Sequence, residues 1–183
     1  MALTASNPFL VGTLAPNFSL FDTVSQKSLD LQSLKGSKAT VIFFICNHCP
    51  FVIHINSKLT ELANLYDKQE ISFIAISSND ILNYPQDAPE LMTVLAKQEA
   101  YPFPYLFDQS QEVAKAYDAA CTPDFYVFDA HLKSTYHGQF DDSRPGNSKP
   151  VTGKDLQDAI TKTIQKKTIE NQKPSMGCGI KWK

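Results

Sequence analysis

The chain has 183 residues, enough to bury a hydrophobic core, and its 43% hydrophobic and 20% charged residues are typical of a globular protein. A net charge of −2 gives no basic surface for nucleic acid, and no apolar run is long enough to cross a membrane. Residues 1–12 lack the basic and apolar segments of a secretory signal, so we expect a cytoplasmic protein. We expect a single domain over residues 1–183, with a core at about 9–168 and a tail at 169–183.

The first half of the chain predicts strands around one long helix. Loosely alternating residues before Gly36 predict a short hairpin or meander. Residues 40–45 and 71–77 are continuous apolar runs, as in strands that are buried on both faces. A helix predicted over residues 49–68 joins them, so the two strands form a parallel pair with a right-handed crossover. The apolar stripe of this helix comprises Phe51, Ile55, Leu59, Leu62 and Tyr66.

A second helix is predicted after residue 87. Asp87 is a candidate N-cap, and the apolar residues that follow it are Leu91, Val94 and Leu95. The segment 101–108 is interrupted by prolines, which predicts a loop and then a short strand.

The last third of the chain predicts two more helices and two more strands. Asp108 and Gln111 resemble a capping box for a helix over residues 111–120. Two strand-like segments, 125–130 and 134–140, precede a final helix over 154–167. This order of elements predicts an α/β three-layer sandwich with a mixed central sheet.

Two cysteines, Cys46 and Cys49, stand where the first buried strand gives way to the long helix. Side chains at positions i and i+3 share a helix face, so the two sulfurs are close enough for a disulfide. A helix N-terminus stabilises a thiolate and lowers its pKa. Asn47 and His48 lie between the cysteines, and a protonated His48 would lower the pKa of a neighbouring thiol further. The pattern predicts a redox couple.

Two other interpretations of the pair stay open. Both thiols could be ordinary core residues, because unreactive cysteine is often buried. Alternatively, Cys46, His48 and Cys49 could bind a metal ion in a carrier protein that has no turnover. His54 is a weak fourth ligand, because five residues along a helix turn it roughly 140° away from Cys49.

Five segments of the chain together resemble the bacterial thioredoxin-like proteins of the redoxin type, within the alkyl hydroperoxide reductase/thiol-specific antioxidant (peroxiredoxin-like) superfamily. The segments are VIFFICNHCPFV, AISSNDILNYPQDAPELM, FPYLFDQSQEVAKAYDAACTPDFYVFD, YHGQFDDSRPGN and MGCGIKWK. The resemblance extends from about Phe9 to Lys183. It implies a thioredoxin-like fold with an N-terminal β extension, and thiol redox chemistry that needs no cofactor.

The resemblance also implies a role for the segment CTPDF. The Thr122–Pro123 peptide bond would be cis and would pack against the cysteine pair. The Thr122 backbone would then face the disulfide, where it could pair with the extended chain of a substrate.

The resemblance leaves the order of attack open. In thioredoxins the first cysteine attacks and the second resolves, which makes Cys46 the nucleophile. In peroxiredoxins the cysteine that attacks peroxide directly precedes a proline, as Cys49 precedes Pro50. A threonine stands three residues before that cysteine in peroxiredoxins, and Cys46 replaces it here, which weakens the peroxidase interpretation.

Two further cysteines are candidate redox residues. Cys121 lies two residues before the expected cis proline, either as a third redox thiol or as a small buried residue. No helix or strand pattern covers Cys178, so it could sit on a mobile tail and act as a resolving cysteine. Alternatively, the tail packs on the body through Trp182.

A turn-rich loop around residue 144 has two interpretations. It could be a solvated loop with local Asx turns. It could also place Arg144 near the thiolate, oriented by Asp141 or Asp142, while Asn79 and Tyr84 line the same edge of the sheet.

We therefore expect a thiol–disulfide oxidoreductase in which Cys46 attacks and Cys49 resolves. The alternative is a thiol-dependent peroxidase with Cys49 as the peroxidatic cysteine, and a metal carrier is the third interpretation. The partners would be a protein or small-molecule thiol or disulfide and an upstream reductant, and neither nucleic acid nor a membrane. The supporting residues would be Asn47, His48, Thr122, Pro123 and Arg144.

Overall fold

The structure is a computed structural model that describes residues 3–183. Its strands are β1 (Leu3–Ala5), β2 (Ser19–Asp22), β3 (Lys27–Asp30), β4 (Ala39–Phe44), β5 (Ile71–Ser77), β6 (Tyr105–Phe107), β7 (Cys121–Thr122), β8 (Asp124–Asp129), β9 (Ser134–Gly138) and β10 (Met176–Gly179). Its α-helices are α1 (Leu31–Leu34), α2 (Pro50–Asp67), α3 (Pro89–Gln98), α4 (Glu112–Ala116) and α5 (Lys154–Ile164), and a 3-10 helix covers Pro85–Asp87. None of the helices within residues 3–183 is both long and apolar enough to cross a membrane.

Seven strands form the central sheet, in the order β3-β2-β6-β5-β4-β8-β9. Strands β4, β5 and β6 run parallel, and the other neighbours in this sheet are antiparallel. The mixed sheet and the parallel β4–β5 pair confirm the predictions from the two apolar runs. The N-terminal hairpin is also confirmed: β2 pairs with β3 and joins the edge of the sheet at β6, with Phe21 opposite Phe107.

Helices cover both faces of this sheet, which confirms the three-layer prediction. Alternate residues of β4 point to opposite faces, and every residue of the strand is buried. Val41 and Phe43 belong to the core beneath α2, α3 and α5, whereas Ile42 and Phe44 belong to the core beneath α1 and α4. The stripe predicted for α2 is confirmed at four positions, Ile55, Leu59, Leu62 and Tyr66, and Phe51 is half-buried.

A second, smaller sheet joins three strands that are far apart in the sequence, in the order β1-β10-β7. Cys178 of β10 lies opposite Leu3 on one side and Thr122 on the other. The expectation that no strand covers the tail is therefore wrong. A Cβ atom at Gly177 would lie 1.9 Å from the carbonyl oxygen of Thr122, so glycine is what allows β10 to approach β7.

Helix α3 differs from the prediction at its start and on its buried face. Asp87 is not its N-cap, because this residue belongs to the preceding 3-10 helix and its carboxylate points to the cysteine loop. Leu91 and Val94 are exposed, whereas Met92 and Ala96 are buried. Leu95, the third predicted apolar position, is partly buried and packs against the core.

The capping box predicted for α4 is also wrong. Gln111 is itself the N-cap residue, with a φ of 66°, and its side-chain amide donates to the carbonyl oxygens of Ser78 and Lys181. Asp108 still serves the helix, because its carboxylate accepts a hydrogen bond from the backbone N–H of Ala114.

Candidate functional site

The cysteine pair lies at the carboxyl end of β4, the edge of an open α/β sheet where binding sites usually form. Cys46 follows β4 by two residues, and Cys49 is the N-cap of α2, which begins at Pro50. Proline suits this first helical position because its missing N–H would have no partner there. Both cysteines are in the dithiol form, and their residues are only 1% and 0% exposed. Asn47 and His48 between them are partly exposed.

The two sulfurs are coupled through a shared proton. The S–H of Cys46 donates to the sulfur of Cys49, which lowers the pKa of Cys49 and raises the pKa of Cys46. Hydrogen bonds from Thr122 and from the backbone N–H of Val52 support the lower pKa of Cys49 against the effect of burial. Burial and the negative charge of Asp87 raise the pKa of Cys46 further. The pair therefore titrates as one unit, and the first proton leaves from Cys49.

The Thr122–Pro123 peptide bond is cis, as the family resemblance implied. The carbonyl oxygen of Thr122 lies 3.1 Å from Sγ of Cys49, and its hydroxyl lies 3.6 Å from Sγ of Cys46. The residue thus contacts both sulfurs. One edge of Thr122 is already paired with Cys178 of the same chain.

Asp87 is a residue of this site that the sequence interpretation missed. Its fully buried carboxylate accepts hydrogen bonds from the backbone N–H of Asn47 at 2.9 Å and from Nδ2 of Asn79 at 2.8 Å. Nδ1 of His48 lies 2.8 Å from the same carboxylate. A buried charge needs such partners, and here they hold the loop between the cysteines in place. No sequence motif marks Asp87 for this role, since its partners Asn47 and His48 belong to the cysteine loop, which is far from Asp87 in the sequence.

His48 lies between Asp87 and the first sulfur. Its Nδ1 is 4.0 Å from Sγ of Cys46, and its ring stacks on Tyr84 with centroids 5.9 Å apart. Because Nδ1 faces the Asp87 carboxylate, we assign the ring proton to Nδ1, which leaves Nε2 as a proton acceptor. Asn79 and Tyr84 lie at this edge of the sheet, as expected.

A metal ion would find three donor groups here. Donor atoms of Cys46, His48 and Asp87 lie within 4.8 Å of one another, and Cys49 adjoins them. The thiolate, imidazole and carboxylate of these three residues are donors that zinc accepts. In this structure His48 and Asp87 are bonded to each other instead, so a metal would have to break that pair. His54 is not part of the cluster; it lines a small recess on the other side of Pro123.

Arg144 binds its own loop rather than the sulfurs. Its guanidinium donates to the carbonyl oxygen of Asp141 and to the side chain of Gln139, and it lines the recess beside Pro123. The expected orientation by a carboxylate is therefore wrong. The Asp142 carboxylate pairs with Lys173, 2.8 Å away.

The Asp141 carboxylate turns to the start of α5, where it accepts from the backbone N–H groups of Thr152 and Gly153. These bonds and those from Ser143 lower the pKa of Asp141 despite its burial.

The remaining cysteines are both buried in strands. The expectation of an exposed Cys178 on a mobile tail is wrong: the residue is 3% exposed, and its S–H hydrogen bonds to Cys49. Cys121 is fully buried, and its S–H lies 3.9 Å from the carbonyl oxygen of Pro123. Burial, followed by the charge of Asp124, raises its pKa.

The tail is held beyond its strand as well. The backbone N–H of Lys181 donates to Oδ1 of Asn79, and Nδ2 of Asn79 donates to Asp87, so the tail is connected to the cysteine loop through these two residues. Trp182 is 43% exposed, and Nζ of Lys115 lies 5.9 Å from the centre of its ring.

Comparison with known proteins identifies one family and two close relatives of the chain. The model of the Redoxin family matches residues 10–156. An uncharacterized conserved protein from Geobacillus kaustophilus is 52% identical over 100% of this chain and 97% of its own, with a TM-score of 0.97. The hypothetical protein SMc02350 from Sinorhizobium meliloti 1021 is 45% identical over 98% of each chain, with a TM-score of 0.95.

More distant structures share the fold alone. Peroxidoxin BcpB from Mycobacterium tuberculosis is 17% identical over 88% of this chain and 98% of its own, with a TM-score of 0.63. No curated protein sequence matches the chain.

Proposed function

The chain belongs to the redoxin family, and from that premise we propose that it is a thiol–disulfide oxidoreductase whose redox couple is Cys46 and Cys49. The observation that carries the proposal is the hydrogen-bond contact between the two sulfurs at the start of α2. Cys49 at the helix N-terminus holds a stabilised thiolate, and Cys46 donates its S–H to it. Two sulfurs in hydrogen-bond contact need little movement to form a disulfide.

In the first proposed step Cys46 passes its proton to the thiolate of Cys49 and attacks one sulfur of a substrate disulfide. A bond forms between Cys46 and that sulfur, and the other substrate sulfur leaves as a thiolate. This leaving thiolate takes the proton from Cys49. The thiolate of Cys49 then attacks Cys46, which releases the second substrate sulfur and leaves the Cys46–Cys49 disulfide. An upstream thiol reductant restores the dithiol.

Cys46 is the proposed attacking sulfur because of what surrounds it. Cys49 is enclosed by Thr122 and by the tail strand through Cys178, whereas Cys46 borders the partly exposed His48. His48 lies between Cys46 and Asp87, and Asp87 fixes the orientation of its ring. Asp87 and His48 are positioning residues in this proposal.

Trapping of the mixed disulfide tests the order of attack. The Cys49→Ser variant should accumulate a covalent adduct with a disulfide-containing protein, and the adduct should map to Cys46. The Cys46→Ser variant should not accumulate an adduct at the same rate. Adducts formed by Cys46→Ser and absent from Cys49→Ser would assign the attack to Cys49. Cys121→Ser is the matched control, because Cys121 is equally buried and hydrogen bonds elsewhere.

A thiol peroxidase is the second candidate, and the lowered pKa of Cys49 favours it. A peroxide is small enough to reach an enclosed thiolate that a protein disulfide would not reach. Cys49 would displace water from the peroxide to form a sulfenic acid, and Cys46 would condense with it to give the disulfide and a second water. The binding of Arg144 to its own loop counts against this candidate, because its guanidinium makes no hydrogen bond to Cys49 within the described residues 3–183.

Peroxide consumption separates the two candidates. If Cys46→Ser still consumes peroxide at the wild-type initial rate while Cys49→Ser has lost it, the peroxidase describes the protein better. If neither the wild type nor the variants consume peroxide faster than a free thiol does, the peroxidase is excluded and thiol–disulfide exchange remains the proposed reaction.

A further inference from the structure

We propose that Cys178 is a third redox residue, which exchanges with the Cys46–Cys49 disulfide and forms an alternative disulfide with Cys49. The inference deepens the proposed function and rests on it. Strand β10 in the tail would then supply a third thiol that reacts with Cys49 at the same site.

The strand register brings Cys178 to the pair. Cys178 lies opposite Thr122, and Thr122 contacts both sulfurs of the couple. Side chains of directly opposite residues lie on the same face of a sheet, so Cys178 shares the face on which the couple lies. Cys46, Cys49 and Cys178 all belong to one buried core cluster, and the S–H of Cys178 hydrogen bonds to Cys49.

Neighbouring elements fix Cys178 in this position. Strand β10 is the middle strand of the small sheet, with β1 on one side and β7 on the other. The hydroxyl of Ser175 donates to the carbonyl oxygen of Gly138 before the strand, and Lys181 is bound to Asn79 after it. A sulfur that is held at hydrogen-bond distance has a high effective concentration, because no loop has to close before it reacts.

Cys121 is the natural comparison, because it is also buried in this sheet. It lies opposite Gly179, and it adjoins Thr122 in β7. Successive residues of a strand point to opposite faces, so the side chain of Cys121 points away from the face that Thr122 and Cys178 share. The geometry therefore distinguishes the two cysteines: Cys178 reaches Cys49, whereas Cys121 does not.

The exchange needs no outside reagent. The thiolate of Cys178 attacks the sulfur of Cys49 in the Cys46–Cys49 disulfide. A bond forms between Cys49 and Cys178, the bond between Cys46 and Cys49 breaks, and Cys46 leaves as a thiolate that takes the proton lost by Cys178. No electrons enter or leave. Cys46 then has its thiol again while Cys49 and Cys178 hold the disulfide.

Oxidation of the pair itself favours this attack. In the dithiol form burial raises the pKa of Cys178 to about 12, and the hydrogen bond and negative charge of Cys49 contribute to that rise. Once Cys49 is part of a disulfide its negative charge is gone. The pKa of Cys178 then falls, and its thiolate becomes more available.

Peptide mapping of the full-length Cys46→Ser protein tests the proposal. Trypsin leaves Cys49 in peptide 39–58, Cys121 in 116–133 and Cys178 in 168–181, so each possible link has its own mass. After oxidation with oxidised glutathione, acid quenching and alkylation, peptides 39–58 and 168–181 should be joined. Cys46→Ser/Cys121→Ser should give the same link, and Cys46→Ser/Cys178→Ser should not. A glutathione adduct on Cys49 together with alkylated Cys178 would overturn the proposal.

The wild-type protein provides a second measurement that needs no substitution in the couple. After oxidation, a fraction of peptide 39–58 should carry alkylated Cys46 and be joined to peptide 168–181. If every oxidised molecule holds the Cys46–Cys49 disulfide with Cys178 alkylated, the redox role of Cys178 is refuted, whereas the Cys46–Cys49 couple is supported. If peptide 39–58 contains no disulfide of either kind, the proposed function itself fails.

Discussion

The carboxylate of Asp87 lies 2.8 Å from Nδ1 of His48, and this contact joins two loops of the sheet edge at the cysteine pair. The same carboxylate holds the backbone N–H of Asn47, so one buried charge positions the whole segment between the two sulfurs. Its charge also raises the pKa of Cys46. Asp87 thereby affects both the shape and the titration of the site.

Asp87→Asn should lower the pKa of Cys46, because it removes a negative charge that opposes the thiolate. A like charge within a few ångströms typically shifts a pKa by about one unit or more. The pH dependence of Cys46 alkylation in a Cys49→Ser background measures the change, and the curve should move to lower pH. Asp80→Asn is the control, since the Asp80 carboxylate binds Leu82 and Asn83 instead. An equal shift in both variants would contradict the assigned role of Asp87.

The wild-type dithiol should already hold a thiolate well below the ordinary cysteine pKa of about 8.5. The direction follows from the lowered pKa of Cys49: its thiolate persists as the pH falls through 8.5 and is lost only at a lower pH. Thr122→Val keeps the volume and removes the hydroxyl that supports the thiolate, so the first ionisation step should move upward by roughly one unit. An unchanged step in Thr122→Val would show that the hydroxyl has no part in the titration.

Gly177→Ala should strongly destabilise the small sheet. The added Cβ would lie 1.9 Å from the carbonyl oxygen of Thr122, which is backbone and has little freedom to move. Overpacking of this kind typically costs about 1–3 kcal/mol. Gly179→Ala is the matched control, because its Cβ would lie 3.0 Å from the side chain of Thr4, which can shift. Urea unfolding of both variants measures the difference, and equal free energies of unfolding would refute the close approach of β10 to β7.

These elements also show which features a sequence can reveal. The strand at residues 40–45 and the helix after it were predictable, because their hydrophobic periodicity is a local property of the chain. Strand β10 was not, since MGCG has no strand pattern and its four residues become a strand only by pairing with β1 and β7. The role of Asp87 at the site was not predictable for a similar reason: Asn47 lies 40 residues away in the sequence, and only the folded sheet brings it to Asp87.

Arg144→Ala should lower stability and leave the thiol chemistry nearly unchanged. The guanidinium holds its loop together through Asp141 and Gln139 and makes no hydrogen bond to Cys46 or Cys49 within residues 3–183. Hydrogen bonds from charged groups typically contribute about 1.5–3 kcal/mol, so the midpoint of unfolding should fall measurably. The rate of mixed-disulfide formation should stay within about twofold of wild type, less than 1 kcal/mol in activation free energy. A tenfold loss of that rate with unchanged stability would place Arg144 in the reaction.

The redox equilibrium of the protein with glutathione measures whether Cys46 and Cys49 form a redox couple. The wild-type protein is equilibrated with mixtures of reduced and oxidised glutathione, quenched with acid and alkylated. Mass spectrometry then gives the number of alkylated cysteines and the linked peptides. Two cysteines should lose their reactivity together in one two-electron step, and peptide 39–58 should then carry either an internal disulfide or a link through Cys49. Full alkylation of Cys46 and Cys49 at every glutathione ratio, or a single glutathione adduct without a protein disulfide, would contradict the proposed couple.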